Sequence, residues 1–295
     1  MSKRVIVFGG SGFLGSHVAD VLTGAGFDVA IFDRAGSPYK KAGQEMIVGD
    51  ILDEDVVFEA IKGRDIVYNF AAIADIDEAS QRPMESVKTN ILGNMAILEA
   101  CRKANVKRFV YASSLYVYSK QASFYRSTKQ ACESLVENYK EIFNLPYTIL
   151  RYGSIYGPRS DEKNFINRIL NQALREKKIT REGDGEEIRE YIHAIDAAKG
   201  SVEILSEEFA NQHVVIAGNQ QMKVKDLLLM IKEMMDNKVE IEYRPALKNS
   251  HYEITPYVFA PKVAKKLVSR TYLDLGQGIL DSIQDIYNKL SLVSQ

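Results

Sequence analysis

Residues 5–15 read VIVFGGSGFLG. Four apolar residues, Val5 to Phe8, run straight into glycines at 9, 10, 12 and 15. An unbroken β-branched and aromatic run is the pattern of a strand buried on both faces, as in a parallel sheet. Glycines at 9, 12 and 15 let the next turn be tight, let the backbone approach a pyrophosphate and let a following helix pack closely on the strand. Phe13 to Ala25 has helical length, so Phe13, Leu14 and Gly15 open a helix whose N-terminus offers free N–H groups and a partial positive charge to an anion. A glycine triplet alone also occurs in purely structural turns. Its setting gives this one weight: a strand before, a helix after and an acid at the end of the next strand. That acid is Asp33, in VAIFDR. A carboxylate there can bond a ribose 2′ hydroxyl and repels a 2′-phosphate, which predicts NAD(H) rather than NADP(H). Arg34 is the competing signal, since an arginine beside the acid can serve a 2′-phosphate.

The same alternation continues outward from this loop. Val29–Phe32, Met46–Val48, Ile66–Phe70, Phe109–Ala112 and Tyr147–Leu150 read as further strands, with helix-length segments at Phe13–Ala25, Asp53–Ile61, Met84–Ala104 and Tyr125–Phe143. Strand–helix alternation argues for an α/β fold, a Rossmann-type doubly wound parallel sheet with right-handed crossovers. After Arg151 the pattern breaks at Gly153, Gly157 and Pro158. A helical stretch over Asn164–Lys177 and a turn at Glu182–Gly185 follow, then a helical pattern from Asp196 and a strand at His213–Ala217. Helices are expected over Lys225–Met235, Val263–Val268 and Gly278–Leu290. The division this implies is a dinucleotide-binding domain over 1–152, with 190–217 returning to it. A smaller C-terminal substrate-binding lobe would comprise 153–189 and 218–295.

The 295 residues, 46% of them hydrophobic, suffice for a sizeable core. Lys plus Arg (38) balances Asp plus Glu (39), and no basic block suggests a nucleic-acid partner. Cys101 and Cys132 are the two cysteines, without a CxxC or a Cys/His cluster, so neither a disulfide framework nor a metal site is expected. The first apolar run is too short for a signal-peptide core, and no stretch approaches the roughly 20 apolar residues of a membrane span. These features predict a cytoplasmic protein. The histidines at 17, 193, 213 and 251 are scattered, and His193 reads as structural. Glu45, Asp53, Glu54 and Asp55 read as solvated loop and helix-start charges.

With the strand, Gly9, Gly12, Gly15 and Asp33 in order, the chain resembles the extended short-chain dehydrogenase/reductases, the NAD-dependent epimerase/dehydratase group. GDILD (49–53) is similar to the strand-end segment that meets the adenine, which implies Asp50 and Ile51 as cofactor contacts. NFAA (69–72) resembles the turn passing over the cofactor, which implies Phe70, Ala71 and Ala72. TNILGN (89–94), with Asn90, RYGSIYGPR (151–159) and REYIHAIDAA (189–198) resemble further family segments. The likeness runs from the first strand to about residue 200. Tyr125-x-x-x-Lys129 puts two side chains one helical turn apart on one face. A tyrosine near its free pKa of about 10 is a poor base at neutral pH. A lysine ammonium one turn away favours the phenolate, so Tyr125 can move a proton while Lys129 also holds the nicotinamide ribose. Ser114, ending the fifth strand, would bond the reacting oxygen and orient the substrate.

The resemblance implies an NAD-dependent nucleotide-sugar epimerase, acting at C4 in one form of this reading, in polysaccharide precursor synthesis. Leu115 and Tyr116 stand where family dehydratases carry Asp-Glu after the active hydroxyl residue, which leaves hydride-and-proton chemistry. Arg189 resembles the arginine that pairs with a nucleotide-sugar diphosphate, a role suited to bidentate binding of phosphate oxygens. A solvated charge beside Glu186, Glu187 and Glu190 is its alternative. The other functional readings are a reductase or dehydrogenase of a keto-sugar or related carbonyl, and a non-catalytic dinucleotide sensor. Three departures stand out. The connection from Ser114 to Tyr125 has about half the length of the family's usual loop; Gly153-Ser154 replaces Phe-Asn; and VYSK (117–120) lacks the usual glycine. Met84–Ala104 and Tyr125–Phe143 are the helices that relatives pair across a dimer, which implies a homodimer.

Overall fold

The computed structural model describes residues 2–119, 122–245, 265–267 and 271–293. Its strands, in chain order, are β1 (Arg4–Phe8), β2 (Asp28–Asp33), β3 (Glu45–Val48), β4 (Ile66–Asn69), β5 (Arg108–Ser114), β6 (Tyr147–Tyr152), β7 (Ser154–Tyr156), β8 (Lys178–Glu182), β9 (Ile188–His193), β10 (Gln212–Ile216), β11 (Gln221–Lys223), β12 (Glu240–Arg244) and β13 (Lys265–Lys266). The helices are α1 (Phe13–Gly24), α2 (Glu54–Ile61), α3 (Ile76–Gln81), α4 (Pro83–Val87), α5 (Gly93–Lys103), α6 (Ser123–Phe143), α7 (Phe165–Glu176), α8 (Ala194–Glu203), α9 (Val224–Met234) and α10 (Leu275–Val293).

Eight strands form one sheet in the order β13-β10-β6-β5-β4-β1-β2-β3, and every pairing in it is parallel. The apolar runs are continuous because both faces are covered. Ile6 and Phe8 point to the face carrying α2, α5 and α6, while Val5 and Val7 point to that carrying α1 and α8. Each such side chain, fully buried, contributes about 1.5–3 kcal/mol. The chain winds outward from β1 to β3, then returns to lay β4 on the other side of β1. The crevice beyond the carboxyl ends of β1 and β4 is therefore the switch point at which such sheets bind ligands.

The remaining strands make two small sheets, β11-β9-β7 and β12-β8. They pack with α7, α9 and α10 around a separate core that includes Leu170, Leu227, Ile231 and Ile279. Strand β10 joins the large sheet beside β6, and α8 packs on α1, while β9 stays in the three-stranded sheet. His193, buried at the N-cap of α8, accepts a bond from Ile195 N at 3.4 Å. Asp53 caps α2 by accepting from Val56 N at 3.2 Å.

Two expectations about elements need correction. Met84–Ala104 is not one regular helix: α4 passes through a π-helical segment, Lys88–Leu92, before α5 begins. Such bulges commonly mark functional sites, and this one turns Asn90 inward. Within the expected helix at Val263–Val268, residues 265 and 266 are strand, because the open edge of β10 takes them as a parallel partner; residues 263, 264 and 268 lie outside the described residues. Cys101 and Cys132 are both buried and unpaired thiols.

Candidate active site

The glycine loop is built by close approach. Gly9 has φ +73°, and a Cβ there would lie 2.6 Å from Ala71 N, so only glycine lets the loops after β1 and β4 touch. A Cβ on Gly15 would lie 2.2 Å from Gly9 O. Gly12 is the N-cap of α1 and has no capping side chain, which leaves the first-turn N–H groups facing the crevice. Asp33, on the rim, is oriented by two backbone donors: Ser11 N to Oδ2 at 3.0 Å and Arg34 N to Oδ1 at 2.8 Å. The Arg34 side chain is exposed.

A cavity of about 230 Å³ runs along this edge, lined by Gly9, Gly12, Asp33, Asp50, Ile51, Phe70, Ala71 and Ala72. Arg34 and Thr89 also line it. Phe13, Leu14 and Gly15 begin α1 beside it. The donors of an uncapped helix start, the tight backbone cradle and the rim carboxylate fit a dinucleotide.

Ser114, Tyr125 and Lys129 gather at the carboxyl end of β5. Ser114 is buried, and its Oγ accepts from Tyr116 N at 3.3 Å, starting a 3₁₀ turn over Leu115–Tyr118. Lys129, on α6, is also buried and donates to Ala112 O at 2.7 Å. Its Nζ lies 5.0 Å from the centre of the Tyr111 ring and 5.8 Å from that of Tyr125. Burial lowers the Lys129 pKa to about 8, against the opposing pull of the Cys132 and Glu133 charges. The Tyr125 ring meets Tyr116 edge-on at 6.2 Å and packs with Ile73, Ile76 and Ala79.

Arg189 is buried on β9 and donates to Ile188 O at 3.0 Å. Of its acidic neighbours, Glu186 pairs with Lys223 and Lys225, Glu187 with Arg181, and Glu190 with Lys266. The Arg189 side chain is itself buried, so the solvated-charge reading does not hold. It is not among the residues lining the 230 Å³ cavity.

Asn90 belongs to the constellation through the connections it makes. Its Oδ1 accepts from Ile73 N at 2.7 Å, and its Nδ2 donates to Ile73 O at 3.1 Å and to Thr128 Oγ1 at 3.1 Å. It thereby ties the loop after β4 to α6 immediately before Lys129. Asn69 adds a second tie, accepting from Ala71 N at 3.0 Å and donating to Asn94 Oδ1 at 2.9 Å. Asn90 stands out in the sequence by resemblance alone, and Asn69 only as the first residue of the NFAA segment, with no role attached to it.

The fold and its glycine loop define a dinucleotide-binding enzyme of the extended short-chain dehydrogenase/reductase type. The chain belongs to the NAD dependent epimerase/dehydratase family, whose model matches residues 5–217. Its cofactor is NAD, and it is an enzyme. The chain is 27% identical to a UDP-N-acetyl-alpha-D-glucosaminuronate decarboxylase of Bacillus cytotoxicus, over 83% of this chain and 84% of the relative. It is also 27% identical to a Methanocaldococcus jannaschii protein provisionally named a UDP-glucose 4-epimerase, over 93% of this chain and 95% of the relative. Among solved structures, a mutant UDP-glucuronic acid 4-epimerase from Bacillus cereus, in complex with UDP-4-deoxy-4-fluoro-glucuronic acid and NAD, shares the fold. Its TM-score is 0.84 at 23% identity, covering 97% of this chain and 99% of that one. Among the described residues, no helix is long and apolar enough to cross a membrane, and no cluster of three or more His, Cys, Asp or Glu could hold a metal.

Proposed function

We propose that the chain is a nucleotide-sugar epimerase of the cytoplasm, inverting a sugar carbon, C4 in the first instance, by transient oxidation and re-reduction. The observation that carries this reading is Lys129, buried beside the Tyr125 ring at the end of β5 with its pKa brought down to about 8. An ammonium so placed favours the Tyr125 phenolate, which can take a proton from a sugar hydroxyl and return it. The Ser114 hydroxyl bonds the same oxygen and keeps it near Tyr125. Gly9, Gly12, Phe13, Leu14, Gly15, Asp33, Asp50, Ile51, Phe70, Ala71 and Ala72 would hold NAD, with Lys129 at its nicotinamide ribose, and the bound cofactor would supply the hydride acceptor and donor.

Leu115 and Tyr116 support epimerisation over elimination. Leu115 is buried and Tyr116 packs on Tyr125, so the two positions after Ser114 contribute apolar and aromatic surface rather than an acid. Arg189 takes the diphosphate of the substrate, with the lobe 153–189 and 218–295 binding the nucleotide sugar and 1–152 with 190–217 binding NAD. The chain pairs as a homodimer through α5 and α6. Its support is the exposed apolar surface of Leu92, Ile142 and Phe143 along these segments. A monomer at micromolar concentration in equilibrium sedimentation overturns that pairing.

The decisive experiment identifies the copurifying cofactor, then screens UDP-, GDP-, CDP- and dTDP-sugars by NMR. Epimer formation with constant NADH absorbance is expected. Stoichiometric NADH loss instead assigns the chain to keto-sugar reduction, and full activity in Tyr125→Phe removes the catalytic assignment.

A further inference from the structure

We propose that Glu133 and Arg151 form a buried positioning device that sets the relation of Ser114 to Tyr125 and Lys129 through the Ser113 and Tyr118 hydroxyls. The proposal rests on the catalytic roles assigned above. Glu133 lies on α6, one turn beyond Lys129 and two beyond Tyr125, on the same face. Arg151 is on β6, Ser113 immediately precedes Ser114 on β5, and Tyr118 ends the 3₁₀ turn. All four side chains are buried.

The contacts converge on one carboxylate. Arg151 Nε donates to Glu133 Oε1 at 2.9 Å and Nη2 donates to Oε2 at 2.6 Å, a bidentate fork with a fixed plane. Ser113 Oγ donates to Glu133 Oε1 at 2.5 Å. The third nitrogen of the guanidinium, Nη1, donates to the Tyr118 hydroxyl, and the Tyr118 ring centre lies 4.6 Å from the guanidinium carbon. His213 on β10 closes the outer side, with Nε2 bonded to Glu137 Oε1 at 2.8 Å.

Helix α6, strands β5 and β6 and the short connection are thus fastened at one point, directly beneath the catalytic groups. Stability alone is a poor reason for such a pair, because taking both charges out of water largely offsets their attraction. What a planar fork supplies is direction. It stops α6 from sliding or rotating against β5, the motion that would separate Tyr125 and Lys129 from Ser114. Displacements of about 1 Å at reacting groups can cost on the order of 100-fold in rate.

The test uses the full chain and two variants that leave the ion pair itself intact, Ser113→Ala and Tyr118→Phe, beside Glu133→Gln. Two readouts are taken: steady-state kinetics, and ionisation of the Tyr125 phenol, obtained by absorbance difference against Tyr125→Phe in each background. Ser113→Ala is expected to lower kcat about 10-fold, with KM and NAD affinity within about twofold of the parent. The Tyr125 ionisation moves to higher pH as its distance from Lys129 grows. Parent-like kcat together with parent-like Tyr125 titration in both hydroxyl variants overturns the proposal. So does a loss that follows only the melting temperature or NAD affinity. If the parent turns over no nucleotide sugar, the epimerase reading fails separately, and the Tyr125 titration still decides the positioning role.

Discussion

Replacing Gly15 by alanine puts one methyl group where the loop and helix of the cofactor site are closest. The added Cβ would lie 2.2 Å from Gly9 O, 3.0 Å from Gly9 C and 3.1 Å from the Gly10 Cα. All three are backbone atoms, so no side chain can swing away. An ordinary contact begins at 3.4 Å, so α1 must retreat from the loop to restore one. Overpacking of this kind costs about 1–3 kcal/mol. The retreat also carries the α1 N–H groups away from the pyrophosphate position. A loss of about 1.4–2.8 kcal/mol in binding corresponds to about 10- to 100-fold weaker NAD affinity. Titration calorimetry with NAD and urea unfolding measure the two effects. Gly24→Ala is the matched control: it ends the same helix, and its Cβ meets nothing within 4 Å. It should leave NAD affinity unchanged and raise stability by at most about 1 kcal/mol. Parent-like NAD affinity in Gly15→Ala refutes the claim that this glycine exists for close approach.

Asp33→Ala should shift the ratio of NADP to NAD affinity upward by at least about tenfold, because the rim carboxylate that repels a 2′-phosphate is gone; fluorescence titration with both cofactors measures it. Asn90→Ala leaves Ile73 N–H and Thr128 without their buried partner, and urea unfolding should show a loss of about 1–3 kcal/mol. The Lys129 ammonium has a folded pKa of about 8 against an ordinary 10.5, because burial penalises its charge. Below about pH 8 both states are protonated and the folded state bears the full cost. Between 8 and 10.5 the folded state has shed a proton that the unfolded chain still holds, so stability rises with pH, by about 3 kcal/mol in total. The stability advantage of Lys129→Met over the parent, measured without cofactor, should therefore shrink as the pH is raised through that window.

The large sheet was legible because strands buried on both faces write their burial into an unbroken run, as in Val5–Phe8 and Phe109–Ala112. The glycine loop was legible because its requirement is backbone space, which only one residue type meets. Helix α3 left no comparable trace. It is a short element held by its Asp75 cap, 2.7 Å from Glu78 N, and by packing of Ala79 near Tyr125. Strands β7 and β11, of three residues each, are too short for a period to emerge; β8 (KITRE) and β12 (EIEYR) are largely charged and carry no apolar run; and β13 exists because β10 has an open edge. The Glu133–Arg151 pair is invisible for a different reason. A glutamate within a charged helix reads as solvated, and nothing in sequence records that a strand arginine lies opposite it.

The short connection from Ser114 to Tyr125 takes on a physical account in these terms. Leu115–Tyr118 coils into a 3₁₀ turn begun by Ser114 itself, and Tyr118 at its end is held by Arg151. The chain then enters α6 through Ala122 (φ 68°) and Ser123 (φ 36°), two non-glycine residues in left-handed backbone. Such residues cost on the order of 1–3 kcal/mol each and persist only where the surroundings over-determine them. Here the surroundings of Ala122 are the apolar cluster it forms with Ala79 and Tyr125, against which Ile73, Ile76 and Tyr116 pack. On the catalytic reading proposed above, the side chains that close in on Tyr125 come from the segment after β4 and from Tyr116. Substrate selectivity should therefore respond to changes at Ile73, Ile76 and Tyr116 more than to lengthening of the connection.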